Sequence, residues 1–202
     1  MDAITIIKND HRIVENLFKQ FENLDGRSPE QKQQIVTQLV KELSVHSAIE
    51  EQVLYPAVRD AIPAENDEVL QALEEHHVVK WELDEIEDMK PTDERYDAKV
   101  NVLIQNVRHH VEEEESEILP MLADQLTPAQ LDQIGDKLQQ AKKVAPTHPH
   151  PRAPDTPPGN IVAGAGAAMV DRTKDAAKGA VKGAAERVKG AAEQLKGKKH
   201  KR

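Results

Sequence analysis

The chain has 202 residues, with 36 Asp+Glu against 27 Lys+Arg, five aromatic side chains and no cysteine. The lack of cysteine excludes a disulfide scaffold, a thiolate zinc site, a Cys–His nucleophile and a CxxC redox centre. The amino-terminal residues form no secretory signal, and the longest apolar run, residues 161–170, is too short to span a bilayer, so a cytoplasmic protein is expected.

Residues 1–145 contain only two glycines and are rich in the helix formers Glu, Gln, Leu, Lys and Ala, and no stretch alternates like a strand. Ile4, Ile7, His11, Val14, Phe18 and Phe21 step by three and four, an amphipathic first helix with a histidine in its apolar stripe. Asp25-Gly26 ends it, and Ser28-Pro29-Glu30 starts a second helix with Ser as cap and Pro at the first helical position. That helix runs through Leu39, Leu43, His46 and Glu50 to about Ala61, with Pro56 predicted to kink it or end it early. A third helix is predicted from about Glu65 to Met89 and a fourth from about Thr92 to Ala123. A short fifth, capped by Thr127-Pro128, reaches about Val144. Short connections between long helices predict an all-α fold, an antiparallel up-and-down four-helix bundle over residues 1–145. Six of the twelve prolines crowd into residues 146–160, which predicts a stiff, extended linker. Residues 161–202 form a disordered or marginally helical tail in this reading, with a thin heptad seam through Ala177, Val181, Ala184, Val188, Ala191 and Leu195. Residues 171–202 carry eleven Lys/Arg against four Asp/Glu, while residues 1–170 carry sixteen against 32, so the tail reads as a disordered, solubilising segment or, alternatively, as a helix that forms on an anionic partner such as a membrane surface or nucleic acid.

The helices carry a duplication. His46-x3-Glu50-Glu51-x2-Leu54-x-Pro56 is answered by His110-x3-Glu114-Glu115-x2-Ile118-x-Pro120, and Asp10-His11-Arg12 by Glu75-His76-His77. From His11 to His46 is 35 residues and from His76 to His110 is 34. His and Glu four apart share one helix face. The rise from each motif to the adjacent turn, roughly 15–27 Å, brings all of them to one level within about a turn. The expected ligand set is therefore His11, His46, Glu50, His76, His110 and Glu114. The repeat alignment selects His76 over His77 and His110 over His109; Glu51 and Glu115 are read as groups supporting the ligands, with Glu51, His77, His109 and Glu115 kept as alternatives. A lone histidine in an apolar stripe is ordinarily a hydrogen-bonded core residue, and a Glu run such as 112–115 ordinarily a solvated face. The matched duplication is what points to cations, since clustered buried carboxylates otherwise repel, and imidazole with carboxylate suits iron, manganese or zinc.

Over about residues 1–125 these motifs resemble the hemerythrin-like, or HHE cation-binding, domain. The resemblance implies a four-helix bundle around two iron ions, an oxo-bridged di-iron centre that meets O2, hydrogen peroxide or nitric oxide. Carried over by position, His11 and His46 hold one iron, His76 and His110 the other, and Glu50 and Glu114 bridge them. Oxygen-carrying members place a further histidine one turn after the third-helix ligand, where this chain has Lys80. Their fourth-helix carboxylate is usually an Asp five residues after its histidine, where this chain has Glu at the fourth and fifth places. A protonated Lys80 cannot ligate but can meet an anionic ligand, and the missing histidine favours redox or nitric-oxide chemistry in oxidative or nitrosative stress over oxygen carriage. Catalase-like or nitric-oxide-reacting catalysis and a non-enzymatic role as iron or oxygen sensor or iron-binding regulator both remain open at this point.

Overall fold

The computed structural model describes residues 1–24 and 29–199. The described residues form the helices α1 Ala3–Glu22, α2 Pro29–Ile49, α3 Tyr55–Ala61, α4 Asn66–Glu87, α5 Tyr96–Glu113, α6 Leu119–Gln125, α7 Pro128–Lys142 and α8 Gly159–Lys199. The Asp25-Gly26 stop and the Ser28 cap lie outside the described residues. The chain divides into two compact units, Met1–Ala168 and Met169–Arg202.

Local chemistry sets the helix starts. Asp2 caps α1 by accepting from the Thr5 backbone N–H at 2.9 Å, and Thr127 and Gln130 form a reciprocal capping box on α7. Helix α5 begins at Tyr96 rather than near Thr92. Asp93 first closes a turn, its side chain taking the Lys90 N–H at 2.8 Å and its carbonyl the Tyr96 N–H at 3.0 Å.

Pro56 and Pro120 neither break nor end their helices. Each follows a π-helical turn, Glu50–Leu54 and Glu114–Ile118, in which the Tyr55 and Leu119 N–H groups reach back to the carbonyls of Glu50 and Glu114. The wider turn accommodates a residue that has no N–H and whose ring would crowd the carbonyl four places back. Both π turns start on a glutamate of the duplicated motif.

Two apolar clusters bracket a polar layer. One gathers Ile6 and Ile7 of α1, Ile49 and Leu54, Val69 and Leu73 of α4, and Leu119 and Leu122. The other gathers Val14 to Phe21 of α1, Val36 to Leu43 of α2, Val79 to Ile86 of α4 and Tyr96 to Val107 of α5. Helices α1 and α4 run from the first cluster to the second, and α2 and α5 run back, which is the up-and-down order. His11, His46, His76 and His110 fall at the crossing point on each helix.

Helix α7 packs against α1 and α2. Gly135 permits this approach: a Cβ there would lie 2.1 Å from the Met1 carbonyl oxygen. Residues 146–158 depart from the extended linker predicted for them. Pro146, His148, Pro149 and Pro151 are buried, and His148 Nδ1 sits 2.6 Å from Glu87. The compact body thus continues past residue 145 to Ala168. The second unit is the remainder of α8; Val181, Ala184, Val188, Ala191 and Leu195 of the heptad seam and residues 200–202 lie outside the described side chains.

Candidate metal centre

All four histidines of the duplicated plan turn Nε2 toward a common centre. His11 Nε2 lies 3.2 Å from Glu114 Oε2, and His46 Nε2 lies 3.2 Å from Glu50 Oε1. His76 Nε2 lies 3.3 Å from Glu50 Oε2 and 3.1 Å from His110 Nε2. The ligating atoms fall into two overlapping groups, His11-His46-Glu50-Glu114 and Glu50-His76-His110, each within 4.8 Å, with Glu50 common to both. Glu50 is 0 % exposed and Glu114 1 %.

A carboxylate faces each ring at Nδ1, within hydrogen-bond distance of His11, His76 and His110 and farther from His46. Glu115 lies 2.8 Å from His11, Asp10 3.7 Å from His46, Glu51 3.1 Å from His76 and Glu75 2.8 Å from His110. The pattern crosses between repeats. The second glutamate of each His-x3-Glu-Glu motif serves the first-helix histidine of the other repeat. The acid preceding each first-helix histidine serves the second-helix histidine of its own repeat. A carboxylate on Nδ1 fixes the tautomer, aims Nε2 inward and raises its basicity as a ligand.

The electrostatics suit cations. Burial raises the Glu50 carboxyl well above its ordinary range, and the nearby Glu114 and Asp10 charges add to this. Burial works in the same direction on Glu114, but the His11 contact and the His110 and His46 rings hold it down at about 2. Burial, with neighbouring positive groups, drives His76 well below the ordinary imidazole value and lowers His46 too, favouring the neutral ring that a metal takes. His11 Nε2, His46 Nε2 and both oxygens of Glu50 and of Glu114 are buried without a hydrogen bond among the described residues. Leaving so many polar atoms unmatched is costly. A coordinated cation satisfies them together, and two ligand atoms about 2.1 Å from one metal at right angles stand about 3 Å apart, close to the separations seen here. The residues fit bound metal cations.

Tyr55, immediately after the first π turn, places its hydroxyl 3.3 Å from His76 Nε2. Burial and the surrounding carboxylates raise its pKa well above the usual phenol value, so it keeps its proton. A cavity of about 620 Å³ borders His11 and Glu115, lined also by Val14, Phe18, Arg108 and Val111. One of about 530 Å³ borders Glu51 and Tyr55, with Thr156 and Pro157 on its rim.

The Hemerythrin HHE cation binding domain family matches residues 2–122, more than half of the chain. The chain belongs to this family. It is 30 % identical over 170 residues to an uncharacterised hemerythrin-like protein of Schizosaccharomyces pombe, an alignment covering 84 % of this chain and 83 % of that one. It is 29 % identical over 142 residues to a DNA nickase of a Nostoc species, covering 70 % of this chain and 39 % of the nickase. The fold is similar to the crystal structure of an HHE cation-binding domain-containing protein from Mycobacterium kansasii, with a TM-score of 0.59 and 22 % identity, covering 71 % of this chain and 88 % of that one. HHE domains bind metal cations, and the two buried groups of this HHE protein are clusters able to hold them.

The structure brings His11, His46, Glu50, His76, His110 and Glu114 into one layer of the HHE bundle. Of the alternatives, Glu51 and Glu115 contact ligand rings, while His77 and His109 point elsewhere. His77 bonds Trp81 Nε1 at 3.1 Å and Asp155 at 3.3 Å. His109 has a 65 % exposed side chain and pairs with Glu113. Lys80, read as unable to ligate but able to meet an anionic ligand, is engaged by carboxylates. Its ammonium binds Glu51 Oε1 at 2.8 Å and also Asp155. Asp10 and Glu75 stand in the duplicated motifs and Tyr55 between Leu54 and Pro56, and the ligand spacing assigns none of them a role. The acid before each first-helix histidine was a visible signal, because it recurs in both repeats. No membrane-crossing helix, long and apolar enough, occurs among the described residues.

Proposed function

We propose that this HHE protein holds two irons and reacts with hydrogen peroxide, O2 or nitric oxide as part of an oxidative or nitrosative stress response. His11 and His46 would hold one iron and His76 and His110 the other, with Glu50 and Glu114 shared between them. The observation that carries this reading is Glu50, whose two oxygens face a ring from each pair at 3.2 and 3.3 Å. When bound, an iron pair supplies two one-electron changes at adjacent positions, which matches the two-electron chemistry of peroxide. The chain's own residues shape what arrives. The cavity beside His11 offers an approach from solvent, and the protonated Tyr55 hydroxyl offers a hydrogen bond within the centre. Lys80 stands where oxygen carriers have a further histidine, and its bonds to Glu51 and Asp155 keep it from ligating. That favours reaction over reversible carriage.

The test is elemental analysis and an absorption spectrum of aerobically purified protein, followed by rapid mixing with peroxide and nitric oxide. Two irons per chain, a near-ultraviolet charge-transfer absorption and turnover of peroxide or rapid nitric-oxide reaction are expected. Zinc alone or no metal overturns the iron reading, and repeated O2 binding and release without oxidation overturns the reactive one.

A second reading, a non-enzymatic iron or oxygen sensor or iron-binding regulator, draws on the excess of eleven Lys/Arg over four Asp/Glu in residues 171–202. Such a segment would contact an anionic partner, a membrane surface or nucleic acid, and the nickase relative makes duplex DNA the first probe. Steeply salt-dependent binding that changes with metal content, without peroxide turnover, would select this reading.

A further inference from the structure

We infer that Asp155, on the segment after α7 and outside the residues matched to the HHE family, is a positioning residue for the His76 half of the centre, acting through Lys80 and Glu51. The inference rests on reading the two clusters as metal sites.

Glu51 Oε1 is shared. It lies 3.1 Å from His76 Nδ1 and 2.8 Å from Lys80 Nζ. The ammonium fixes that oxygen in place beside the ring. The same ammonium also binds Asp155 Oδ1, so a second carboxylate holds it from the other side. Asp155 thus fixes Lys80, Lys80 fixes Glu51 Oε1, and Glu51 holds His76 in the orientation that aims Nε2 at Glu50. Glu51 and Lys80 are both buried, at 5 % and 8 % exposure, so little water is available to take over from Asp155. The segment is fastened where this matters. The Asn160 side-chain amide donates to the Glu51 carbonyl and to the Asp155 carbonyl, both at 3.2 Å. The other half of the centre has a parallel arrangement: Lys142, at the end of α7, binds the Asp10 that faces His46. Elements beyond the family match therefore bind carboxylates that face the rings in both halves.

The experiment compares metal release from the full-length, metal-loaded protein into a chelator, read as metals per chain over time, with the visible spectrum of the Co(II)-substituted protein as a second readout. Asp155→Asn should release one of its two metals about tenfold faster, toward the lower end for groups that orient a ligand. It should shift the Co(II) spectrum and keep the other metal at the parent rate, while Asp155→Glu restores slow release. Arg152→Ala removes the segment's guanidinium from its place 5.3 Å over the Trp81 ring and leaves Asp155 intact, so it should behave as the parent. Parent-like release and spectrum in Asp155→Asn would overturn the inference. So would equal acceleration by Arg152→Ala, which would reduce the effect to general loosening of the segment. A parent chain that takes up no metal at all would instead overturn the metal reading beneath it.

Discussion

The His11/His46 half and the His76/His110 half of the centre each set two histidine Nε2 atoms beside Glu50 and a carboxylate toward each Nδ1, yet their surroundings differ. Glu115, behind His11, has a side chain 35 % exposed beside a cavity, with Lys8 at 3.7 Å. Glu51, behind His76, is almost fully buried and paired with Lys80 and, through it, Asp155. Burial pushes the Glu51 pKa up to about 7 against the pull of Lys80. One turn after the first-helix histidine the first half has Glu15, bound outward to Arg108 at 2.9 Å, where the second has Lys80. After the π turn the first repeat supplies Tyr55, close to His76, and the second repeat supplies Leu119, which joins the apolar core. The duplication preserved what a cation requires and left free what governs access and hydrogen bonding around it.

The largest expected effect tests whether the halves are truly joined. Glu50→Leu should strip metal from both halves, read by elemental analysis. Loss of only one metal would show that the halves are independent. His46→Ala and His76→Ala should each leave about one metal per chain, since removing one ligand of three or four opens a single position. Loss of both in either variant would mean that one half cannot form without the other.

Smaller changes sharpen the contrast in surroundings. Glu51→Ala and Glu115→Ala should each weaken metal binding by about 10–100-fold, measured by chelator competition, with the buried Glu51 toward the upper end because water cannot readily replace it. Equal effects would remove the asymmetry argued from burial. Tyr55→Phe should leave metal content unchanged and slow peroxide turnover by about 3–10-fold, the scale of one lost hydrogen bond of about 1 kcal/mol. An unchanged rate would leave Tyr55 a packing residue like its counterpart Leu119.

The π turns show where reading the sequence stopped short. Pro56 was a clear local signal, and a kink or an early stop is what proline alone predicts. Instead the helix widens by a residue and continues through Ala61, since Leu54, Tyr55 and Val58 bury in the apolar cluster and hold the continuation in place. The Pro-rich stretch misled for a related reason. Its composition favours an extended chain, but Pro146, Pro149 and Pro151 found apolar surface to cover and the carboxylate of Asp155 found Lys80.

By itself the sequence determined the helices, the up-and-down order and the shared helix faces of His46 with Glu50 and of His110 with Glu114. Each of these depends on spacing along one helix, and backbone geometry converts spacing directly into a shared face. Only the tertiary structure decided which carboxylate stands behind which ring. Glu115 reaches His11 across 104 residues, Glu51 reaches His76 across 25, and Asp155 reaches Lys80 across 75. Such contacts depend on how helices meet and on which rotamers the packing permits, and no periodicity along the chain records them.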